Sequence, residues 1–223
     1  MALDGAQVRP RLQIFARAPV PGECKTRMIP ALGPGGAAAL HENLVRHTLQ
    51  TAHRWRARRP DGEVELWCAP DPDHRFFADC AREFDVALRS QPQGDLGARM
   101  WLALMDSLAS GSLPLLVGTD CPWLDPEALD SVLRAAARHD CAFIPAEDGG
   151  YVAVSLARAV PELFAAVDWG SERVMAQTRR RAARVGATLA EVGRLPDVDD
   201  PPDLQRLRAD ATLAHLVPPV SST

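Results

Sequence analysis

The stretch Leu113-Pro114-Leu115-Leu116-Val117-Gly118-Thr119-Asp120-Cys121-Pro122 decides the fold. Its run from Leu113 to Thr119 shows no polar alternation, the pattern of a strand buried on both faces, as in a parallel sheet covered by helices on each side. The flanking segments agree. Leu12 to Ala16 reads as a first strand followed by a turn at Pro19 to Gly22, Glu63 to Ala69 as a second and Ala87 to Gln91 as a third. Between them, a helix begins near Pro34 and carries Leu40, Leu44, Val45, Leu49, Ala52 and Trp55 at three- and four-residue steps to Arg58. Asp73 to Glu83 is a shorter helix, and Leu96, Met100, Ala103, Leu104 and Leu108 mark another. Downstream, Asp125 caps a helix opened by Pro126, Cys141 to Pro145 and Tyr151 to Leu156 are strands, and Glu172 to Val185 is a helix. A strand at Ala187 to Val192 precedes a short helix at Pro201 to Arg208, with fraying after Leu216. Helices that separate strands predict a three-layer α/β/α sandwich with a mostly parallel, mixed central sheet, built as one domain over residues 1–223.

Composition bounds the function. The 223 residues carry 25 Lys plus Arg against 29 Asp plus Glu, a net charge of −4, and are 47% hydrophobic. The 15 Gly and 19 Pro stay well below the disordered class. No apolar run approaches the ~18 residues of a membrane span, and Met1 to Pro10 lacks the apolar core of a secretory signal, so the expected location is cytoplasmic with no membrane partner. Cys24, Cys68, Cys80, Cys121 and Cys141 are scattered without a paired motif and indicate neither a disulfide framework nor zinc. Weak negative charge argues against a nucleic-acid partner. The basic runs Arg54 to Arg59 and Arg179 to Arg184 read as solvated helix ends or faces. Oligomeric state is not legible, although an exposed Trp55 or Trp67 would mark an interface.

In open α/β sheets, ligands sit beyond the carboxyl ends of the strands, so the loops leaving strands are where chemistry is expected. The first, Arg17-Ala18-Pro19-Val20-Pro21-Gly22-Glu23-Cys24-Lys25-Thr26-Arg27, gathers three cations suited to phosphate oxygens, with Gly22 admitting close backbone approach. It lacks the glycines of a P-loop. Asp120 leaves the most buried strand, where a Mg²⁺ ligand or a turn residue would stand. Asp197-Val198-Asp199-Asp200 concentrates acids that repel one another, and Asp200 before Pro201 also fits a helix start. Pro145-Ala146-Glu147-Asp148-Gly149-Gly150-Tyr151 carries a hairpin signal together with two acids suited to act as general base. Gly94 to Arg99 opens a helix able to receive an anion, with Asp95 as its alternative N-cap. Trp169 is suited to stacking on a base or sugar, or to burial before a helix.

In this order, the segments Arg17–Arg27, Gly94–Met100, Gly118–Pro122, Pro145–Tyr151, Trp169–Ser171 and Asp197–Leu204 closely resemble the bacterial DUF2064 group of the glycosyltransferase-A (GT-A), or nucleotide-diphospho-sugar transferase, fold, some of whose members are associated with arsenosugar biosynthesis. The resemblance implies a nucleotide bound over Arg17, Pro19, Gly22, Lys25, Thr26, Arg27, Gly94 and Arg99. It implies Mg²⁺ or Mn²⁺ on Asp120 and on Asp199, with Asp197 the alternative to Asp199. Asp148 or Glu147 would be catalytic, and Gly149, Gly150, Tyr151 and Trp169 would hold the acceptor. This chain departs from the group's pattern with Asp200 and Pro202 in place of Thr and Glu, and with Ser155 in place of Gly.

The activity expected from these readings is metal-dependent glycosyl transfer from a nucleotide-sugar to a small-molecule acceptor. Nucleotidyl transfer from an NTP, with pyrophosphate release, is the alternative, and a non-catalytic nucleotide-binding protein is the third.

Overall fold

Strand β4 (Leu113–Val117) is buried along its whole length. Leu113, Leu115 and Val117 join Leu12, Ile14 and Ala16 of β1 (Pro10–Arg17) in the core on one face of the sheet, while Leu116 and Phe15 enter the core on the other. This computed structural model describes residues 8–219, so only 217–219 of the segment expected to fray are described, and 220–223 lie outside that range. Five further strands, β2 (Glu63–Ala69), β3 (Ala87–Ser90), β5 (Cys141–Pro145), β6 (Tyr151–Leu156) and β7 (Leu189–Glu191), complete one sheet in the order β3-β2-β1-β4-β6-β5-β7. Only β6 runs antiparallel to its neighbours, because the short loop after β5 returns the chain as a hairpin. The remaining pairs are parallel.

The helices cover both faces. Leu49 and Trp55 of α1 (Ile29–Arg58), Phe76 and Phe77 of α2 (Arg75–Phe84) and Leu129 and Val132 of α4 (Pro126–Ala136) fill one core. Met100 and Leu104 of α3 (Leu96–Ala109) and Met175 of α5 (Val174–Arg184) fill the other. Leu204 and Leu207 of α6 (Pro201–Ala209) pack with Leu40 and Leu44 of α1 in a third cluster that includes Val198. The expected three-layer α/β/α sandwich with a mostly parallel mixed sheet is therefore the observed fold.

Some boundaries differ from expectation. α1 starts at Ile29, but its first turn is set off by Gly33 (φ 70°, ψ 168°), and the long helix resumes at Pro34. α5 starts two residues later than its apolar pattern predicts, because Ser171 to Arg173 form a turn. Trp55 and Trp67 are buried, their indole N–H groups donating to Asp130 and Glu65 at 3.0 Å, so neither marks an interface. All five cysteines are free and buried, and burial pushes Cys68 and Cys141 up to about 12. Among the described residues no helix is long and apolar enough to cross a membrane.

β1 and β4 are adjacent, yet the connection leaving β1 leads toward one edge of the sheet, to β2, and the connection leaving β4 toward the other, to β5. A crevice opens at such a point beyond the strands' carboxyl ends.

Candidate functional site

The crevice is a pocket of about 540 Å³ at the ends of β1 and β4, within the range of small-ligand sites. Its first wall is the loop leaving β1. Val20-Pro21-Gly22-Glu23 forms a tight turn, with the Glu23 N–H donating to the Val20 carbonyl at 3.0 Å and Gly22 at φ 87°, the position a type II turn reserves for glycine. Gly22 and Pro19 thus shape the loop without lining the pocket, whereas Arg17, Lys25, Thr26 and Arg27 line it. Arg17 and Arg27 are exposed, and among the described residues neither pairs with a carboxylate.

Lys25 points elsewhere. Its side chain is almost wholly buried, and Nζ lies 2.7 Å from Asp199 Oδ1, 2.8 Å from Asp120 Oδ1 and 2.5 Å from the Val198 carbonyl. The Val198 N–H donates in turn to the Asp120 carbonyl at 2.8 Å, which ties the acidic segment to the end of β4. Burial works against the Lys25 charge, but Asp120 and Asp199 outweigh it and raise its pKa. Burial likewise opposes ionisation of Asp120, and Lys25 with His41 overcomes it, so Asp120 is held below the ordinary carboxylate range.

Another part of the lining is acidic. One carboxylate oxygen from each of Asp148, Asp197 and Asp199 lies within 4.8 Å of the others. Burial first, then the charges of Asp148 and Asp199, push Asp197 up to about 7. Clustered, mutually repelling carboxylate oxygens are the donor set of a hard divalent cation. Asp120 stands beside this group as the partner of Lys25. Asp200 and Asp203 are structural: they form a reciprocal cap at the start of α6, and the Asp203 carboxylate also accepts the Asp199 N–H at 2.9 Å.

The β5–β6 loop supplies Asp148. Its Oδ1 accepts the Gly150 N–H at 2.8 Å, leaving the second oxygen for a ligand. Glu147 does not reach the pocket. Its carboxylate pairs with Arg206 at 2.8 Å, and its N–H bonds to Leu195. Gly149 also lies outside the lining. A Cβ there would sit 2.1 Å from the Glu172 carbonyl oxygen, so this glycine admits the backbone leading into α5.

The third wall comes from α3 and the segment before α5. Asp95 caps α3 by accepting the Ala98 N–H at 2.8 Å, and Gly94 precedes it at φ 120° without lining the pocket. Arg99 does line it, steadied by Gln91 Oε1 at 3.1 Å and pairing with no carboxylate among the described residues. Tyr151 and Trp169 meet edge to face with centroids 6.2 Å apart. Burial drives the Tyr151 phenol far up, so it serves as a neutral wall. Trp169 reaches its place because Gly97 has no side chain: a Cβ there would lie 2.6 Å from the indole nitrogen. Ser155 is fully buried and donates to the Pro114 carbonyl at 2.6 Å, away from the pocket.

The fold therefore gathers Arg17, Lys25, Thr26, Arg27, Arg99, Asp120, Asp148, Gly150, Tyr151, Trp169 and Asp199 around one pocket, and leaves Pro19, Gly22, Gly94, Glu147 and Gly149 outside its lining. Asp197 and His41 line the pocket as well. Asp197 stood as the alternative to Asp199, and both face the pocket. His41, whose Nε2 meets the Arg17 carbonyl at 2.9 Å, sits among the apolar residues of α1, where no sequence signal separates it from packing.

Solved structures share this fold. A protein from Desulfovibrio desulfuricans G20, provisionally described as a nucleotide-diphospho-sugar transferase, superposes with a TM-score of 0.78 over 94% of each chain at 24% identity. CMP:2-keto-3-deoxy-manno-octonic acid synthetase complexed with CTP gives 0.54 at 12% identity, over 90% of this chain and 97% of that one. Rv0371c from Mycobacterium tuberculosis H37Rv, in complex with manganese, gives 0.52 at 16% identity, over 90% and 98%. These likenesses establish the fold. No curated protein matches the sequence. Residues 51–171, which include the β4 end with Asp120 and the loop bearing Asp148, match the family described as "uncharacterized protein conserved in bacteria (DUF2064)", and the chain belongs to that family.

Proposed function

We propose that this protein is a metal-dependent transferase that uses a nucleotide-activated donor and moves a sugar from a nucleoside-diphosphate sugar to a small-molecule acceptor. The observation that carries this reading is that one pocket is lined by two sets of charge. Arg17, Arg27 and Arg99, none paired with a carboxylate among the described residues, line the pocket that also holds the clustered carboxylates of Asp148, Asp197 and Asp199. A diphosphate with its cation suits such a lining: guanidinium forks take phosphate oxygens, and carboxylates take the metal.

Asp197 and Asp199 would hold Mg²⁺ or Mn²⁺, which when bound neutralises charge on the departing nucleoside diphosphate. Arg17, Arg27 and Arg99 bind and orient the phosphates. Asp148 presents its free carboxylate oxygen to the acceptor hydroxyl and takes its proton as the hydroxyl oxygen bonds the anomeric carbon of the donor sugar, whose bond to the nucleoside diphosphate breaks. Tyr151 and Trp169 form the apolar wall against which a sugar ring or acceptor packs and which excludes water.

Incubation of the purified chain with nucleotide-sugars and with nucleoside triphosphates, each with and without Mg²⁺ or Mn²⁺, tests this. Cation-dependent release of a nucleoside diphosphate from a nucleotide-sugar is the expected result. Pyrophosphate release from a triphosphate would assign nucleotidyl transfer instead, and failure of every donor to bind would overturn both.

A further inference from the structure

Lys25 is the single lysine among 25 basic residues; the other cations are arginines. It is also the one whose charge is buried between acids. Its ammonium has three N–H donors, and three protein oxygens surround it: Asp120 Oδ1 at 2.8 Å, Asp199 Oδ1 at 2.7 Å and the Val198 carbonyl at 2.5 Å. A compact ammonium can serve three converging acceptors, whereas a guanidinium aims its donors in a plane and suits a flat, two-oxygen partner. The backbone at Lys25 is left-handed (φ 46°, ψ 44°), a conformation a non-glycine residue keeps where its surroundings over-determine it.

We propose that Lys25 is a positioning residue, a resident counter-ion that hydrogen-bonds Asp199 and the Val198 carbonyl, pairs ionically with Asp120 and so locks the Asp197–Asp199 segment to the end of β4, and that it does not contact substrate phosphate. The lock joins three separate parts of the chain: the loop after β1, the exit of β4 and the acids before α6. It fixes one oxygen of Asp199 and so turns the rest of that carboxylate toward Asp148 and Asp197. It also compensates Asp120, so the cation is directed to Asp197 and Asp199. This role for Asp199 rests on the cation site of the proposed function; the lock itself does not.

Two measurements test the proposal. Protein labelled with ¹⁵N at the lysine side chain has one ammonium group to observe. In the free protein at neutral pH its resonance is expected to be visible, because a locked ammonium exchanges protons slowly, whereas a solvated one exchanges too fast to be seen. Absence of the signal overturns the lock. The second measurement is Mn²⁺ binding by electron paramagnetic resonance, without phosphate present, in the wild type and in Lys25→Arg. The substitution keeps the charge and would serve a phosphate contact well, so it isolates geometry. Binding weaker by about tenfold or more is expected, as for loss of a partner that orients a metal ligand. Equal binding by the two proteins overturns the positioning role. If the wild type binds no Mn²⁺, the cation site of the proposed function fails, and the resonance alone decides whether the lock exists. The resonance also decides if Lys25→Arg does not fold.

Discussion

Asp148 and Glu147 are chemically alike and adjacent in sequence, but the loop turns them to opposite sides. Ala146 pairs with Leu195, and the Glu147 N–H bonds to the same residue, which sends the Glu147 side chain out to Arg206 while Asp148 folds over Gly150 into the pocket. Asp148→Asn is therefore expected to lower turnover by roughly 10²–10⁴, the usual worth of a positioned base, and Glu147→Gln to leave it within about twofold, both read from initial rates at saturating donor. Sequence could nominate both acids and had no means of separating them, because a half-turn of loop decides which one faces in. Arg17 offers a different test. It is exposed and pairs with no carboxylate among the described residues, so Arg17→Ala is expected to weaken nucleotide binding by about tenfold. The same change should leave the melting point nearly unmoved, as surface substitutions do; calorimetry measures both.

Between elements, Gly149 and Asp140 decide how α5 and β7 dock. Gly149 is at φ 95°, its carbonyl accepts the Met175 N–H at 2.8 Å, and the Glu172 backbone occupies the space a Cβ would need. Gly149→Ala combines backbone strain with a collision, and a loss of about 2 kcal/mol or more is expected in denaturant unfolding. Asp140 precedes β5. It accepts from the Arg158 guanidinium at 2.5 Å and from the Thr188 N–H at 2.7 Å and hydroxyl at 3.0 Å, bonds that hold β7 beside β5. The Arg158 bond first, against burial, and then Thr188 bring Asp140 down to about 2. The unfolded carboxyl titrates near ~3.9, so the unfolded chain binds the extra proton between these values. The contribution of Asp140 is thus complete above about pH 4 and lost as pH falls toward 2. Asp140→Asn should flatten that part of the stability profile, with a modest loss at neutral pH because the pair is largely solvated. Helix starts at this scale were legible from local chemistry: Asp95, Asp125 and Asp200 all cap as their sequences predict. The start of α5 was not: Ser171 accepts the Val174 N–H on its carbonyl and the Arg173 N–H on its hydroxyl, a turn that sits against the distant Gly149.

For the whole molecule, pocket walls drawn from the loop after β1, α3, the β5–β6 hairpin and the segment before α6 make ligand binding and global stability one quantity. A nucleotide donor with Mg²⁺ at a hundred times its Kd should add about 2.7 kcal/mol, which for a chain of this size is roughly 5–10 °C in Tm, and a chelator should remove the shift. The sequence by itself determined the layered α/β architecture, the central place of β4, the loops that carry charge and the family resemblance. These follow from hydrophobic periodicity, turn chemistry and caps, all set by residues a few positions apart. Only the tertiary structure decided that Lys25 faces Asp120 and Asp199, that Asp197 joins Asp148 and Asp199, and that Glu147, Gly149 and Gly22 lie outside the pocket lining. Lys25 and Asp199 are separated by 174 positions. Their meeting depends on the order in which the crossovers lay the strands side by side, which no local pattern encodes.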